Sequence, residues 1–385
     1  MYNSIKLGFR WAARSAGLVG LMLSWSAGAP LPTNNDPANQ IRFDTQAEAD
    51  AKRAELIKFI WGDGLPTATP AVTNDVELPP KTDGIDAASV ASVDRLDVDV
   101  SGWGFRATSY LLHPANTANA DRVVIMHQGH AHDLDLGVGA TANHLLQNGF
   151  SVVVMHMPLF GWNADSKTAV IPDRGTLTYD EHDAMILNTA VNDDGQGFRL
   201  FLEPVVQNIN HVLATKPKLQ DISMIGLSGG GWTTSMMAAI DERIKLSVPV
   251  AGSAPLYYRN SDPPSVGDAE QYYAPLFDEN VQLDGSGGGI ATWLEIYVLG
   301  GYGQGRRQIQ VSNEFDTCCF SGTFPSSYKS IVADKVTLLG DGKWEHALDS
   351  THKSHVISDH IISSVVNPLL GIANPAPTPS VADPQ

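Results

Sequence analysis

Cysteine is nearly absent from this chain. Its 385 residues hold two, Cys318 and Cys319, and the two are adjacent. A disulfide framework is thereby excluded. What stays open is a ring between the two neighbours or a pair of buried thiols. Basic charge is scarce as well, with 25 Lys and Arg against 42 Asp and Glu and a formal net charge of −17. That balance lacks the basic footprint that nucleic acid or an anionic membrane requires, so neither is expected as a partner. No repeat of solenoid period is visible. Past the first 30 or so residues there is no apolar run of membrane-spanning length. Apolar residues nevertheless make up 43% of the chain, enough for a substantial core and too many for bulk disorder.

The ends read as accessory segments. Lys6, Arg10 and Arg14 precede the apolar stretch Ala16 to Trp25, and small residues from Ser24 to Ala29 follow. This is the layout of a secretory signal peptide over 1–29. It implies a secreted or periplasmic protein with no membrane contact after signal removal, an uncleaved anchor being the alternative. Residues 30–91 read as a polar leader and a helix. That helix is expected over Asp44 to Ile60, with Ala54, Ile57, Ile60 and Trp61 as its apolar face. Residues 65–90 read as loop. The Pro-rich segment 371–385 is expected to be disordered.

Between these ends, buried-strand and helix patterns alternate. Arg95–Val100 and Phe105–Leu112 alternate in polarity around Gly102 and Gly104, as a hairpin does. Arg122–Met126, Ser151–Met155, Asp221–Ile225, Ile244–Val250 and Arg307–Val311 read as strands of a sheet covered on both faces. Lys335–Leu339 reads as the last strand, with a helix over Ser326–Ala333 before it and an amphipathic helix over His355–Val366 after it. Gly137–Gln147, Phe198–Ala214 and Ser228–Ile240 read as the other helices. Residues 252–305 break the alternation with prolines, glycines and seven tyrosine and tryptophan positions, among them Tyr257 and Trp293, and are expected to form an insertion or cap. The whole is an α/β architecture with a mostly parallel central sheet flanked by helices.

One stretch organises the rest. Met224-Ile225-Gly226-Leu227-Ser228-Gly229-Gly230-Gly231-Trp232 runs from strand through a sharp turn into helix. Its pentapeptide Gly226 to Gly230 fits the G-x-S-x-G nucleophile elbow. Neighbours without a Cβ let strand and helix approach, and the serine tops a strained turn. The N–H after it opens a helix, where an oxyanion binds well.

With this elbow on a central strand, the chain over residues 92 to 370 resembles the α/β-hydrolases. The resemblance implies a catalytic Ser…Asp…His order along the chain. Ser228 is then the nucleophile. The acid follows the strand Arg307–Val311, where Asp316 is the first choice and Glu314 its competitor. The histidine follows the last strand, where Ser354-His355-Val356-Ile357-Ser358 favours His355 over His352 and His346. The family's oxyanion loop corresponds to Met126-His127-Gln128-Gly129-His130. The donors implied are the backbone N–H of Gly229 and that of either His130 or Gln128. Trp162, after the fourth strand, and Trp232, on the elbow helix, are candidates for the substrate pocket.

No cofactor is implied and no metal site is assigned. The group of His346, His352 and His355 lacks compact ligand spacing, and His127, His130 and His132, the other metal alternative, lie in a strand-end loop that already has a role. The activity implied is a serine carboxylic-ester hydrolase acting on a small-molecule or polymeric ester. The alternatives are a prolyl-oligopeptidase-like peptidase, a carbohydrate acetyl-esterase, or an idle binding protein on the same fold. The region before residue 92 is too short for that peptidase family's N-terminal propeller.

Overall fold

The computed structural model describes residues 36–374, apart from 173, 193, 217, 220, 260–266 and 280–286. The expected signal peptide and all of the expected tail beyond residue 374 lie outside the described residues. No described helix is long and apolar enough to cross a membrane.

Nine strands make the main sheet: β1 (Ala71–Thr73), β2 (Val90–Val100), β3 (Phe105–Pro114), β4 (Asn119–His127), β5 (Phe150–Met155), and, beyond a separate hairpin of β6 (Thr168–Ile171) and β7 (Gly175–Thr178), β8 (Asp221–Leu227), β9 (Ile244–Val250), β10 (Arg307–Asn313) and β11 (Lys343–Asp349). Their spatial order is β1-β2-β3-β5-β4-β8-β9-β10-β11. β1, β2 and β3 pair antiparallel, β3 also runs antiparallel to β5, and the pairs from β5 through to β11 are parallel. β8 therefore lies mid-sheet between β4 and β9.

The continuous apolar runs explain the two-sided core. In β4, Val123 and Ile125 point to one layer and Val124 and Met126 to the other, all fully buried. The first layer holds the helices Arg199–Thr215 and Gly229–Ile240. The second holds Val138–Gln147 and the C-terminal helical segment from Asp359.

The N-terminal helix forms over Gln46–Trp61, opened by a Thr45–Glu48 capping box. The face it buries differs in part from the one expected: Ile60 and Trp61 go inward as expected and Ile57 is half-buried, but Ala49, Arg53 and Leu56 join them and Ala54 is exposed. The buried cation explains the change. Arg53 Nη1 donates to the Ala239 carbonyl at 2.7 Å, satisfying an orphan acceptor near the end of the elbow helix. The helix thus braces the element that follows Ser228.

Two further expectations are corrected. Lys335–Leu339 is not a strand but the last part of a helix, Lys329–Leu339. Its buried residues Val332, Val336 and Leu339 have helical spacing, and Gly340 ends it at φ 94°. The last strand is β11, which carries His346 within the sheet. The final helix starts at Asp359 behind the cap Ser358, leaving His355 in the preceding loop. The chain leaves the sheet after β9, as expected, in short helices at Leu256–Arg259, Ala269–Tyr272 and Ala274–Phe277. Trp293–Gly301 then returns as a fully buried helix that precedes β10.

Two histidines away from the elbow are held toward the neutral form, His156 buried and His346 half-buried. Burial pushes His156 down to about 3 and His346 down to about 4. Both folded values lie below the ordinary value near 6.5, so the unfolded chain binds more protons in acid. Their contribution is complete above about pH 6.5 and is lost as pH falls toward 4. The thermal midpoint is expected to drop from pH 7 to pH 5. His346→Gln is expected to flatten that drop, read by circular dichroism melts across the range.

Candidate active site

Ser228 sits between β8 and its helix with φ 59° and ψ −123°, a conformation costly for a residue with a side chain. Its N–H donates to the Val250 carbonyl at 2.9 Å, and its carbonyl accepts from Trp232 N–H at 2.9 Å, so both sides hold the turn. Two glycines make room for it. A Cβ on Gly226 would lie 2.2 Å from the Gly230 carbonyl oxygen, and one on Gly230 would lie 2.0 Å from that of His127. The elbow is therefore pressed directly onto β4 and the loop that leaves it.

Residues from two later loops meet beside the serine. His355 Nδ1 and Asp316 Oδ2 are 2.6 Å apart, although 39 residues separate them in sequence. Asp316 Oδ1 accepts from the N–H groups of Cys318 at 2.8 Å and Cys319 at 3.3 Å. Burial works against the aspartate's charge, but these bonds and the histidine outweigh it and hold the carboxyl below the ordinary range. The histidine loop is pinned in turn by Asn313 Nδ2 donating to the Val356 carbonyl at 3.0 Å and by Ile357 N–H donating to the Leu136 carbonyl at 3.0 Å. His355 Nε2 is buried and has no partner among the described residues, and His355 and Ser228 line one cavity.

The competitors are engaged elsewhere. Glu314 accepts from the Ser350 hydroxyl. His352 Nε2 pairs with Asp349 Oδ2 at 3.1 Å, and its Nδ1 accepts from Ser354 N–H at 3.1 Å. His346 lies against Ser312 Oγ at 3.2 Å. Cys318 and Cys319 are joined as a disulfide that forms part of the cavity wall.

The loop after β4 closes over the elbow. A Cβ on Gly129 would meet the Ser228 Cβ at 2.7 Å and Gly229 N at 3.0 Å, so this loop touches the nucleophile's turn. The expected donors divide. Gly229 opens the helix, where the first N–H groups have no intrahelical partner. His130 follows the glycine in contact. Gln128 is not a donor to the site, because its N–H is given to the Met155 carbonyl at 2.9 Å in continuation of the sheet. Its side chain instead ties the loop: Oε1 accepts from Gly129 N–H at 2.8 Å, and Nε2 donates to the Asp133 and Asp135 carbonyls at 2.9 and 3.1 Å. His127 is buried and pushed down to about 4, with its Nδ1 on the Gln128 carbonyl at 2.8 Å.

The cavity has a volume of about 560 Å³. Leu136, Leu227 and Phe320 give it apolar wall; Asp268, Glu270 and Gln271 give it a polar one. Neither tryptophan expected there lines it. Trp162 is held against Tyr110 and His156, its indole N–H donating to the Pro80 carbonyl at 2.7 Å. Trp232 is fully buried under the elbow helix against Phe198 and Phe201. Its position three residues after Gly229 turns it into the core.

The sequence reading missed Asp268 and Glu270, which come from the segment between β9 and β10, and His182 of the helix His182–Leu187. His182 Nδ1 lies 3.0 Å from His130 Nε2. No local spacing links positions 130, 182, 268 and 270, so no motif signals them.

A mostly parallel sheet with this strand order, a serine elbow mid-sheet and an acid and a histidine on the loops after β10 and β11 is the α/β-hydrolase fold. No family model matches the chain, and no curated protein matches it in sequence. Solved structures match it in fold. The methylesterase BT1017 aligns over 88% of this chain and 70% of its own, at 15% identity and a TM-score of 0.54. Acetyl xylan esterase 1 from Thermoanaerobacterium sp. JW/SL YS485 aligns over 89% of this chain and 99% of its own, at 14% identity and a TM-score of 0.52. The acetyl xylan esterase from Paenibacillus sp. R4 gives 89% and 97%, 14% identity and a TM-score of 0.51.

Two outcomes follow from the geometry. Gly230→Ala would drive a methyl into the His127 carbonyl and is expected to destabilise the fold by about 1–3 kcal/mol or more, read by denaturant melts. Asp316→Asn and His355→Ala are expected to slow labelling of Ser228 by a fluorophosphonate about a hundredfold or more. Glu314→Gln and His352→Gln are expected to label at the parent rate. The reverse pattern would move the acid to Glu314 or the base to His352.

Proposed function

We propose that the chain is an exported serine hydrolase of carboxylic esters. The observation that carries this is the His355–Asp316 pair at the wall of the cavity that holds Ser228 on its strained turn. In this reading Ser228 Oγ attacks the acyl carbon while His355 Nε2 takes its proton. Asp316 keeps the imidazole in the tautomer with Nδ1–H and stabilises the imidazolium that forms. The N–H groups of Gly229 and His130 receive the oxyanion, each worth about 2.7–4 kcal/mol at the transition state. His355 then protonates the leaving alcohol. Water, activated by the same histidine, releases the acid from the acyl-enzyme.

The substrate class rests on the cavity. About 560 Å³ with carboxylates and an amide in its wall accommodates a small ester of a polar partner, as in an acetylated sugar unit or the methyl ester of a sugar acid. The matched acetyl xylan esterases and methylesterase carry names of that kind. A long acyl chain would need a continuous apolar wall. Export follows from the charge and apolar pattern of residues 1–29. N-terminal sequencing of protein recovered outside the cytoplasm should begin close to residue 30.

The deciding measurement is hydrolysis of chromogenic esters of increasing acyl length by the parent protein and Ser228→Ala. Acetyl and propionyl esters are expected to be cleaved, with kcat/KM falling as the chain lengthens and activity lost in the variant. Rates that rise with length would replace the short-acyl reading by a lipase-like one. No turnover of any ester by the parent would overturn the esterase reading.

A further inference from the structure

Outside the proposed Ser–His–Asp set, four side chains from three distant segments converge on the cavity wall. His130 comes from the loop after β4, His182 from the helix His182–Leu187, and Asp268 and Glu270 from the segment between β9 and β10. One donor atom from each lies within 4.8 Å of the other three.

Three of these atoms form a near-equilateral triangle. His130 Nε2 to His182 Nδ1 is 3.0 Å, His130 Nε2 to Asp268 Oδ2 is 3.3 Å, and His182 Nδ1 to Asp268 Oδ2 is 3.4 Å. A tetrahedral ion with nitrogen and oxygen ligands at about 2.0–2.1 Å has edges of about 3.3–3.4 Å. Hydrogen bonds satisfy such a triangle poorly. The Nε2 of His182 faces the Pro158 carbonyl at 2.8 Å, which assigns its proton there and leaves a lone pair on Nδ1. That arrangement is also the outer-shell bond by which metal-binding histidines are oriented.

Glu270 supplies the independent observation. Its side chain is fully buried, and neither carboxylate oxygen has a hydrogen-bond partner among the described residues. The competing account is a second proton on His182, carried by Nδ1 toward Asp268 Oδ2 at 3.4 Å. It still leaves both Glu270 oxygens without a donor. A divalent cation would answer both carboxylates and both imidazoles at once.

We propose that His130, His182, Asp268 and Glu270 bind a divalent transition-metal ion of the zinc class, which clips the segment around 267–272 to the oxyanion loop. Two imidazoles disfavour calcium and magnesium, and the lack of thiolate disfavours soft monovalent copper. Four protein ligands close the coordination sphere, so the ion is structural and activates no water. Its effect on chemistry runs through position: His130 contributes both a ligand and, in the proposed mechanism, an oxyanion N–H.

The test uses the full chain carrying Ser228→Ala, so that it is independent of the esterase reading. Chelator-treated protein is titrated with Zn2+ and Co2+, and bound metal is counted by elemental analysis. One ion per chain is expected, with Kd tighter than about 1 μM for zinc and a tetrahedral cobalt spectrum. Glu270→Gln and Asp268→Asn are expected to weaken binding about a hundredfold or more, with metal-free melting unchanged in Glu270→Gln. X-ray absorption at the zinc edge of the unmutated site should show two imidazoles, oxygen ligands and no sulfur. Substoichiometric binding, equal affinity in both variants, an octahedral cobalt spectrum, or sulfur in the zinc shell would each overturn the proposal.

Discussion

The site depends on one close approach, that of the elbow to the end of β4. Gly230 stands where the His127 carbonyl leaves no room for a methyl, and Gly129 stands where Ser228 and the Leu227 carbonyl leave none. Backbone is packed on backbone across the centre of the sheet. That contact holds Ser228 in an unfavourable conformation and sets the next loop beside its hydroxyl. The core on both sides prevents the turn from relaxing: Gly229–Ile240 is buried throughout, and Arg53 of the N-terminal helix anchors its last turn.

Around this rigid centre the later loops are held by polar bonds to the sheet. Asn313 ends β10 and binds the backbone next to His355, while Asp349 ends β11 and engages Thr351, His352 and Ser358. The two acid–histidine pairs are thus separate devices. Asp349–His352 shapes the loop, and Asp316–His355 opens onto the cavity. Each pair joins an acid, Asp349 at the end of β11 or Asp316 in the loop after β10, to a loop histidine. Only their placement relative to Ser228 tells them apart.

Much of this was legible along the chain because the signals are local. The runs at Arg122–Met126 and Asp221–Ile225 are continuous because both sheet faces are covered. Glycines crowd residues 226–231 because a strand-to-helix turn with a backbone neighbour tolerates no Cβ. Misreadings fell where a short apolar run has no period of its own. Val336 to Leu339 suits a strand as well as the last turn of a helix, and the helix won because Val332 and Gly340 complete its face and its end. The apolar face of the first helix was partly misplaced because a buried arginine stands in it, and composition counts arginine as surface.

The sequence by itself determined the layered α/β architecture and the elbow at Ser228. These depend on periodicity and on residues lacking a Cβ, which are properties of neighbours in the chain. Tertiary structure alone decided that His355 meets Asp316, that Gln128 gives its N–H to the sheet, and that both expected pocket tryptophans lie in the core. It alone brought His130 and His182 against Asp268 and Glu270. These outcomes rest on distances of 3 to 5 Å between segments tens of residues apart. Such distances are set by how the sheet twists and its loops pack, which no local pattern encodes.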